Sequence, residues 1–229
     1  MTMASKYKAV FLDIDGTLID SNDAHAQSWK EVLDAAGISV DFKEIRSRIG
    51  KGGDKLLPEV TGIEPHSDRY KEISAARSKI FKEKYLPHLK PFPKVRELLQ
   101  KLRDQGLKLV AVTSAKKDKL DPLLEKAGVK DLIRVKVTSD DVKNSKPDPD
   151  LVECALEVLK LSPSEVIMLG DTPYDIEAAE KAGVKTIAFR AGGWKDTDLK
   201  NAIAIYQDPE VLLENLDSSV LYSPLRLVS

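Results

Sequence analysis

Residues 10–17 read VFLDIDGT, and this stretch does most to decide the fold. Three apolar residues lead directly into Asp13 and Asp15, and Gly16 follows. A short apolar run without alternation is typical of a strand that is buried on both faces of a parallel sheet. Because side chains alternate along an extended backbone, the two aspartates are expected to point the same way at the end of that strand. An ordinary strand that ends in an Asp-Gly turn would show the same pattern.

The same short apolar character returns at five later places in the chain. These segments are residues 109–112, 133–137, 166–169, 186–189 and 203–205. Between them, apolar residues recur at helical spacing, as in the stripe that runs from Val95 to Leu102. Alternating helices and strands predict an α/β fold with a Rossmann-like, doubly wound parallel sheet.

Local signals also predict where helices begin. Asp148-Pro149 and Asp208-Pro209 each place a capping carboxylate before a first-turn proline. Residues 162–165 read SPSE, which predicts a helix start with a capping box.

One long segment interrupts the alternation of helix and strand. Residues 22–90 contain no clear strand, but they carry helical stripes such as the one from Trp29 to Ala36. We therefore expect a small helical cap domain at 22–90, inserted after the first strand of a core formed by 1–21 and 91–229. The segment from Leu221 to Ser229 is expected to be a tail or a short docked segment.

Composition excludes several classes of protein. The 229 residues are 42% apolar and 32% charged, and 36 basic against 37 acidic residues give a net charge of −1. That balance predicts a globular chain without the broad basic field that binds nucleic acid. A single cysteine, Cys154, excludes an internal disulfide and a cysteine-rich zinc site. We expect no membrane span, no signal peptide and a cytoplasmic location. Composition does not decide the oligomeric state.

Further polar residues follow the predicted strands. Thr113 and Ser114 come after 109–112, and Asp171 comes after 166–169. Open α/β sheets bind their ligands at the carboxyl ends of the strands, so a hydroxyl, free backbone N–H groups and a carboxylate would meet there. Lys146 precedes a predicted helix and offers a positive charge suited to phosphate. Taken singly, each has a plainer interpretation: helix caps for Thr113 and Asp171, and solvated surface for Lys146.

The order of these signals is more specific than any one of them. DIDGTLIDS (13–21), VTSA (112–115), SKPDP (145–149) and GDTPYD (170–175) follow one another along the chain. In this respect the sequence resembles the haloacid dehalogenase-like hydrolases, and most closely the branch of phosphoglycolate phosphatases and β-phosphoglucomutases that carry a small helical cap. The resemblance covers nearly the whole chain.

The resemblance implies a role for each matching position. Asp13 would be the nucleophile that forms an aspartyl-phosphate, and Asp15 the acid and base. Asp13, Asp171 and the backbone carbonyl of Asp15 would hold Mg²⁺. Thr113 and the Ser114 N–H would bind a phosphoryl oxygen, and Lys146 would neutralise charge. Asp175 would orient Lys146 or the waters around the metal.

The cap is expected to set specificity. His25 is placed to reach the leaving group, although a helical surface histidine is equally consistent with the pattern. Residues 49–53 read IGKGG, and this loop, with Arg48 and Lys51, is expected either to grip a substrate anion on cap closure or to be a plain turn between helices.

These observations predict a Mg²⁺-dependent phosphatase acting on a small phosphorylated metabolite, of the sugar phosphate or 2-phosphoglycolate class. Two alternatives stay open: a phosphomutase of the β-phosphoglucomutase kind, which His25 allows, and a catalytically idle binding module of the same fold. The presence of Asp15 favours phosphoryl transfer over carbon–halogen cleavage.

Overall fold

The computed structural model describes residues 5–222. The strands in this range are β1 Ala9–Leu12, β2 Ile19–Asp20, β3 Lys90–Pro91, β4 Lys108–Val112, β5 Val135–Val137, β6 Val166–Gly170, β7 Lys185–Phe189 and β8 Ala204–Tyr206. The α-helices are α1 Asn22–Ala35, α2 Phe42–Arg46, α3 Gly53–Thr61, α4 Asp68–Ile80, α5 Val95–Asp104, α6 Lys117–Lys126, α7 Asp150–Leu159, α8 Pro173–Lys181 and α9 Pro209–Glu214.

Six of the strands form one parallel sheet in the order β5–β4–β1–β6–β7–β8. β1 lies in the middle of the sheet, between β4 and β6, so the stretch VFLDIDGT (10–17) begins at the centre of the fold. Its side chains alternate between two apolar clusters: Val10 and Leu12 pack on the α5, α6 and α9 side, and Ala9 and Phe11 on the α7 and α8 side. The predicted doubly wound α/β fold is confirmed.

The inserted segment is helical and has an apolar cluster of its own. α1 to α4 surround Trp29, Leu33, Ile45, Leu57 and Ile73, which are all buried. The chain enters this segment through β2 and returns through β3, and these two short strands pair antiparallel. The entry to the inserted helices and the return from them therefore lie side by side.

The predicted helix starts had mixed outcomes. Asp208 accepts a hydrogen bond from the Val211 N–H and caps α9, as predicted. Asp148 does not cap a helix: α7 begins at Asp150 without a side-chain cap, and Asp148 pairs with Lys55 of the cap at 2.8 Å instead. The capping box of Ser162 and Glu165 is present, but it starts a single 3₁₀ turn rather than a longer helix.

The described part of the predicted C-terminal tail packs in the core. Leu221 and Tyr222 are buried in the cluster that contains Val10. The remaining residues of the predicted tail, 223–229, lie outside the described residues.

Candidate active site

The site lies where β1, β4 and β6 end. The Asp13 N–H donates to the Leu169 carbonyl (3.0 Å), and the Thr113 N–H donates to the Val137 carbonyl (3.1 Å). Parallel pairing thus continues one residue past each strand. This extension holds the backbones of Asp13 and Thr113 rigidly at the carboxyl edge of the sheet, where Asp171 follows β6. The structure brings together these three predicted site residues.

Lys146 reaches this edge from the loop before α7. It is fully buried, and its ammonium group donates to Asp13 Oδ1 (2.7 Å), Asp175 Oδ1 (2.7 Å) and the Val112 carbonyl (2.8 Å). An ammonium group has three donors, and all three are used. Burial alone would lower the pKa of Lys146, but Asp13 and Asp175 raise it above its usual value. Lys146 is therefore a fixed positive charge and not solvated surface.

Among the described residues, the site contains three clustered acidic residues and only one buried ammonium group, that of Lys146. Carboxylate oxygens of Asp13, Asp171 and Asp175 lie within 4.8 Å of one another, and all three residues are buried. Burial raises the pKa of Asp13 to about 7 although Lys146 lowers it. Burial, together with Asp175 and Asp13, raises the pKa of Asp171 well above its usual value. A cluster of buried oxygen ligands with excess negative charge fits a hard divalent cation.

Asp175 differs from its two neighbours because its oxygens already have partners. Oδ1 accepts from Lys146, and Oδ2 accepts from the N–H and hydroxyl of Thr172 at 3.0 and 2.7 Å. Although Asp175 lies within the cluster, its bonds favour the predicted role of orienting Lys146 over direct cation binding.

Thr17 is a site residue that the sequence analysis did not single out. Its hydroxyl lies 2.9 Å from Asp171 Oδ1 and 3.4 Å from Asp13 Oδ2, so its single proton is donated to Asp171. Thr17 lies within the quoted motif 13–21, so its position was available as a signal even though its partner was not.

Asp15 faces the cap. Its Oδ1 accepts from the Ser21 hydroxyl (2.5 Å) and lies 2.7 Å from His25 Nε2. Burial opposes ionisation of Asp15, but His25, the Ser21 hydroxyl and the charge of Arg77 outweigh it and lower the pKa of Asp15. The structure therefore places His25, on α1, in contact with Asp15, the predicted acid and base.

Arg77 completes this group, and the sequence analysis missed it. It is only 7% exposed, it donates to Ser28 Oγ (3.0 Å), and it contacts His25 Nδ1. The His25 ring stacks on Phe81 with 4.1 Å between centroids. Burial lowers the pKa of Arg77 to about 10, which leaves it charged at neutral pH. The available signal was its position in α4, four residues after the buried Ile73, where a charged residue is unusual.

Lys119, on the first turn of α6, also contributes positive charge here. Burial, with the charge of Arg77, lowers the pKa of Lys119 to about 8. Burial lowers the pKa of His25 as well, with Arg77 and Lys119 adding to the effect while Asp15 opposes it. The surroundings of Asp15 are therefore cationic, whereas those of Asp171 are anionic.

Thr113 and Ser114 lie between the core and the cap. The Thr113 hydroxyl accepts from the Ala115 N–H (3.1 Å), which leaves its own proton available for an acceptor. The Ser114 hydroxyl lies 3.4 Å from the carbonyl of Gly50 in the cap loop. Their predicted role in binding a phosphoryl oxygen stays a prediction.

The cations of the cap loop are held by an acid of the cap itself. Arg48 Nε and Lys51 Nζ lie 3.0 and 2.6 Å from Glu59. Lys51 also lies over the Tyr174 ring, 4.9 Å from its centroid. In this arrangement Arg48 and Lys51 share the single negative charge of Glu59, which offsets half of their combined positive charge. Binding of a substrate anion by these two cations stays a prediction.

The same loop contacts the core next to Lys146. Ser145 Oγ accepts from the Gly52 N–H (3.1 Å) and donates to Asp54 Oδ1 (2.6 Å). A Cβ on Gly52 would lie 2.4 Å from Ser145 Oγ, so only glycine allows this approach. The cap loop therefore lies directly over the segment that carries Lys146.

Comparison with known proteins agrees with this geometry. The family described as haloacid dehalogenase-like hydrolase matches residues 10–189, from the middle of β1 to the end of β7. The chain belongs to this family, and the predicted resemblance is confirmed.

Two phosphatases and one hydrolase of known structure are similar to this chain over most of its length. The chain is 28% identical to an N-acetylmuramic acid 6-phosphate phosphatase from Pseudomonas putida, over 94% of this chain and 98% of that protein. It is 32% identical to a phosphoglycolate phosphatase from Nitrosospira multiformis, over 77% and 80%. A solved hydrolase from Pseudomonas syringae, 29% identical, superposes with a TM-score of 0.84 over 92% of this chain and 98% of that one.

Among residues 5–222, no helix combines the length and the apolar character needed to cross a membrane.

Proposed function

We propose that this protein is a Mg²⁺-dependent phosphatase that hydrolyses a small phosphorylated metabolite through an aspartyl-phosphate on Asp13. The observation that carries the proposal is the buried Lys146 ammonium, which bonds Asp13 and Asp175 at 2.7 Å while Asp171 lies in the same cluster. A carboxylate held in this way keeps a fixed orientation, and a phosphoryl group at the strand edge would meet a positive charge beside it. Family membership and phosphatase relatives support the same reaction class.

Asp13 would attack phosphorus, forming a bond between its carboxylate oxygen and phosphorus while the bond from phosphorus to the leaving oxygen breaks. Asp15 would donate a proton to that oxygen. In the second step Asp15 would take a proton from water, and the oxygen of that water would displace Asp13 from phosphorus. Lys146 would hold Asp13 in place and neutralise charge throughout, and Thr113 with the Ser114 N–H would bind a phosphoryl oxygen.

Mg²⁺ would be held by Asp13, Asp171 and the backbone carbonyl of Asp15, and when bound it removes the repulsion between an anionic nucleophile and a phosphate dianion. The donor set supports this choice, because carboxylate and carbonyl oxygens are the ligands that hard divalent cations prefer.

The substrate is proposed to be a sugar phosphate or 2-phosphoglycolate, as the names of the two phosphatase relatives suggest. Residues 22–90 are proposed to form the cap that selects it, on a core of 1–21 and 91–229. The separate apolar cluster of α1 to α4 and the paired β2 and β3 support this division. A cytoplasmic location stays a prediction from the sequence.

A phosphate-release screen tests the proposal, with sugar phosphates, 2-phosphoglycolate, nucleotides and pyrophosphate as substrates, each with Mg²⁺ and with EDTA. Asp13→Asn is expected to reduce hydrolysis of p-nitrophenyl phosphate by more than about 10³-fold while the circular dichroism spectrum is unchanged. A folded Asp13→Asn protein that hydrolyses this substrate as fast as wild type would disprove the role of Asp13.

A second candidate function is phosphomutase activity of the β-phosphoglucomutase kind. It is favoured by the 2.7 Å contact between His25 Nε2 and Asp15 Oδ1, because a cap residue on the acid and base can make that group respond to a bound sugar rather than to water. Conversion of β-glucose 1-phosphate to glucose 6-phosphate without release of phosphate would identify a mutase.

A further inference from the structure

Asn22, the first residue of α1, reaches from the cap into the acidic cluster. It is 2% exposed, and its Nδ2 donates to Asp171 Oδ2 (2.8 Å) and to the Gly192 carbonyl (3.1 Å). Both partners are acceptors, so the nitrogen of this amide must face them and the oxygen must face the other way. The orientation of the amide is therefore fixed by chemistry.

The position of Asn22 at a helix start does not explain this geometry. An asparagine that caps a helix accepts a hydrogen bond from a backbone N–H of the first turn, but the N-cap position of α1 is Ser21. No side-chain cap is present on α1, and the Asn22 side chain is directed to Asp171 instead. The Gly192 carbonyl also accepts from Arg46 (2.5 Å), so it has a second donor without Asn22. The contact with Asp171 is thus the distinctive one.

Two glycines leave the room for this pair. A Cβ on Gly16 would lie 2.1 Å from Asn22 Nδ2 and 2.2 Å from Asp171 Oδ2, and Gly16 has a φ of +79°. A Cβ on Gly192 would lie 1.8 Å from Asp171 Oδ2. The backbone thus closes around the bonded Asn22 and Asp171 on two sides, where neither position 16 nor position 192 has room for a side chain.

The oxygen of the same amide lacks a hydrogen-bond partner. Asn22 Oδ1 is buried, and no group within residues 5–222 lies at hydrogen-bond distance from it. A buried acceptor without a partner costs about 1–3 kcal/mol, so such a group is expected to meet a donor in the working state of the protein. Mg²⁺ in protein sites keeps several of its waters, and these are strong donors.

We propose that Asn22 is a positioning residue for the divalent cation: Nδ2 fixes the ligand Asp171, and Oδ1 accepts from a water of the hydrated cation. This inference rests on the proposed cation site. Groups that orient a ligating carboxylate typically change metal affinity by about 10–100-fold. Because Asn22 begins the first cap helix, cation affinity is also tied to the placement of the cap.

The test is direct binding of Mn²⁺, a spectroscopic substitute for Mg²⁺, without substrate and near pH 8. Electron paramagnetic resonance of free Mn²⁺ gives the Kd for wild type, Asn22→Ala, Asn22→Asp and Asn201→Ala. Asn201 is an exposed asparagine whose Nδ2 donates to Glu180 at 3.3 Å, and it serves as the matched control. We expect Asn22→Ala to weaken binding about 10–100-fold and Asn201→Ala to leave it unchanged.

Asn22→Asp distinguishes a role toward the cation from a role in packing. It keeps the shape of the side chain but replaces the Nδ2 donor with an oxygen that cannot donate to Asp171, so we expect Mn²⁺ binding to be weaker than in wild type. A residue that only fills space would tolerate this change of equal size without loss of affinity. Unchanged Kd values in Asn22→Ala and Asn22→Asp overturn the inference alone, whereas absence of Mn²⁺ binding in wild type overturns the proposed cation site as well. If Asn22→Ala does not fold, Asn22→Asp decides the outcome.

Discussion

His25 donates a hydrogen bond to Asp15, and Arg77 determines that it does. The His25 Nε2 and Asp15 Oδ1 atoms are 2.7 Å apart, and the Arg77 guanidinium contacts Nδ1 of the same ring. A guanidinium group can only donate, so Nδ1 must be the unprotonated nitrogen and Nε2 must carry the proton. The lowered pKa of His25 agrees with a neutral ring. In this arrangement Asp15 is therefore held as a carboxylate, the form that would act as the base in the second step of the proposed reaction.

The first prediction concerns the pH profile of His25→Ala. Loss of the Nε2 donor removes part of what lowers the pKa of Asp15, so this pKa should rise. Because the first chemical step needs protonated Asp15, the basic limb of kcat/KM against pH should move to higher pH. We expect kcat to fall about tenfold as the orientation of Asp15 is lost. Steady-state kinetics over a pH series measures both effects.

His88→Ala is the control for this experiment, since His88 is exposed and lies outside the Asp15 group. It should reproduce the wild-type profile. An unshifted basic limb in a folded His25→Ala protein would show that His25 does not set the protonation of Asp15.

The second prediction concerns stability against pH. The pKa of Asp13 is raised from 3.8 to about 7 by burial. Between these values the native state holds a proton that the unfolded state has released, so stability without metal should fall as pH rises from about 4 to about 7. Mg²⁺ favours the ionised carboxylates and should reverse this loss. The increase in Tm on adding Mg²⁺ should therefore be larger near pH 8 than near pH 5.

Differential scanning calorimetry with Mg²⁺ or EDTA at both pH values measures this difference. In Asp171→Asn the Mg²⁺-dependent increase should be lost at both pH values, because a predicted ligand is missing. An equal increase at both pH values in wild type would contradict the assignment of Asp13 as a cation ligand.

The third prediction concerns the contact between the cap loop and Ser145. Gly52→Ala places a methyl group 2.4 Å from Ser145 Oγ and 2.2 Å from Asp54 Oδ1, so the cap loop must shift away from the segment that carries Lys146. A displacement of this size should lower kcat/KM about 10- to 100-fold. Kinetics with p-nitrophenyl phosphate provides the measurement.

Gly53→Ala is the matched control, because its added Cβ would lie no closer than 3.3 Å to a neighbour, the Trp29 ring. It is expected to keep activity within about twofold and to support α3 slightly through better helix propensity. Equal activity of Gly52→Ala and Gly53→Ala would show that the closed contact is not needed for turnover.

The fourth prediction concerns the two cations of the cap loop. Glu59→Gln removes the single negative charge that Arg48 and Lys51 share. If these cations grip a substrate anion, their release should lower KM for a substrate with a second anionic group, by up to about fivefold for a partly exposed pair. KM for p-nitrophenyl phosphate, which has no such group, should not change.

Glu72→Gln, on an exposed residue of α4 that pairs with Arg69 at 2.8 Å, provides the control. Unchanged KM values in Glu59→Gln across both kinds of substrate would remove Arg48 and Lys51 from the list of substrate-binding residues.

Local patterns in the sequence were sufficient to predict the fold. Unalternated apolar runs located all six strands of the main sheet to within two residues, because burial on both faces leaves a local signal. The same reasoning predicted that polar residues after β1, β4 and β6 would meet, since strand ends converge at one edge of a parallel sheet. Asp148 shows where local reasoning fails, because a capping pattern was overridden by an ion pair with Lys55, far away in the chain.

The sequence by itself therefore determined the α/β core, the helical insertion and the acids at the strand ends. Only the tertiary structure decided which cap residues reach these acids: Arg77 contacts His25 across 52 positions, and Asn22 bonds Asp171 across 149. Such contacts depend on how the cap helices pack on one another and on the core, and no local periodicity encodes that packing. In the sequence, such a contact is indicated only by a polar residue at a position where the helical spacing predicts burial.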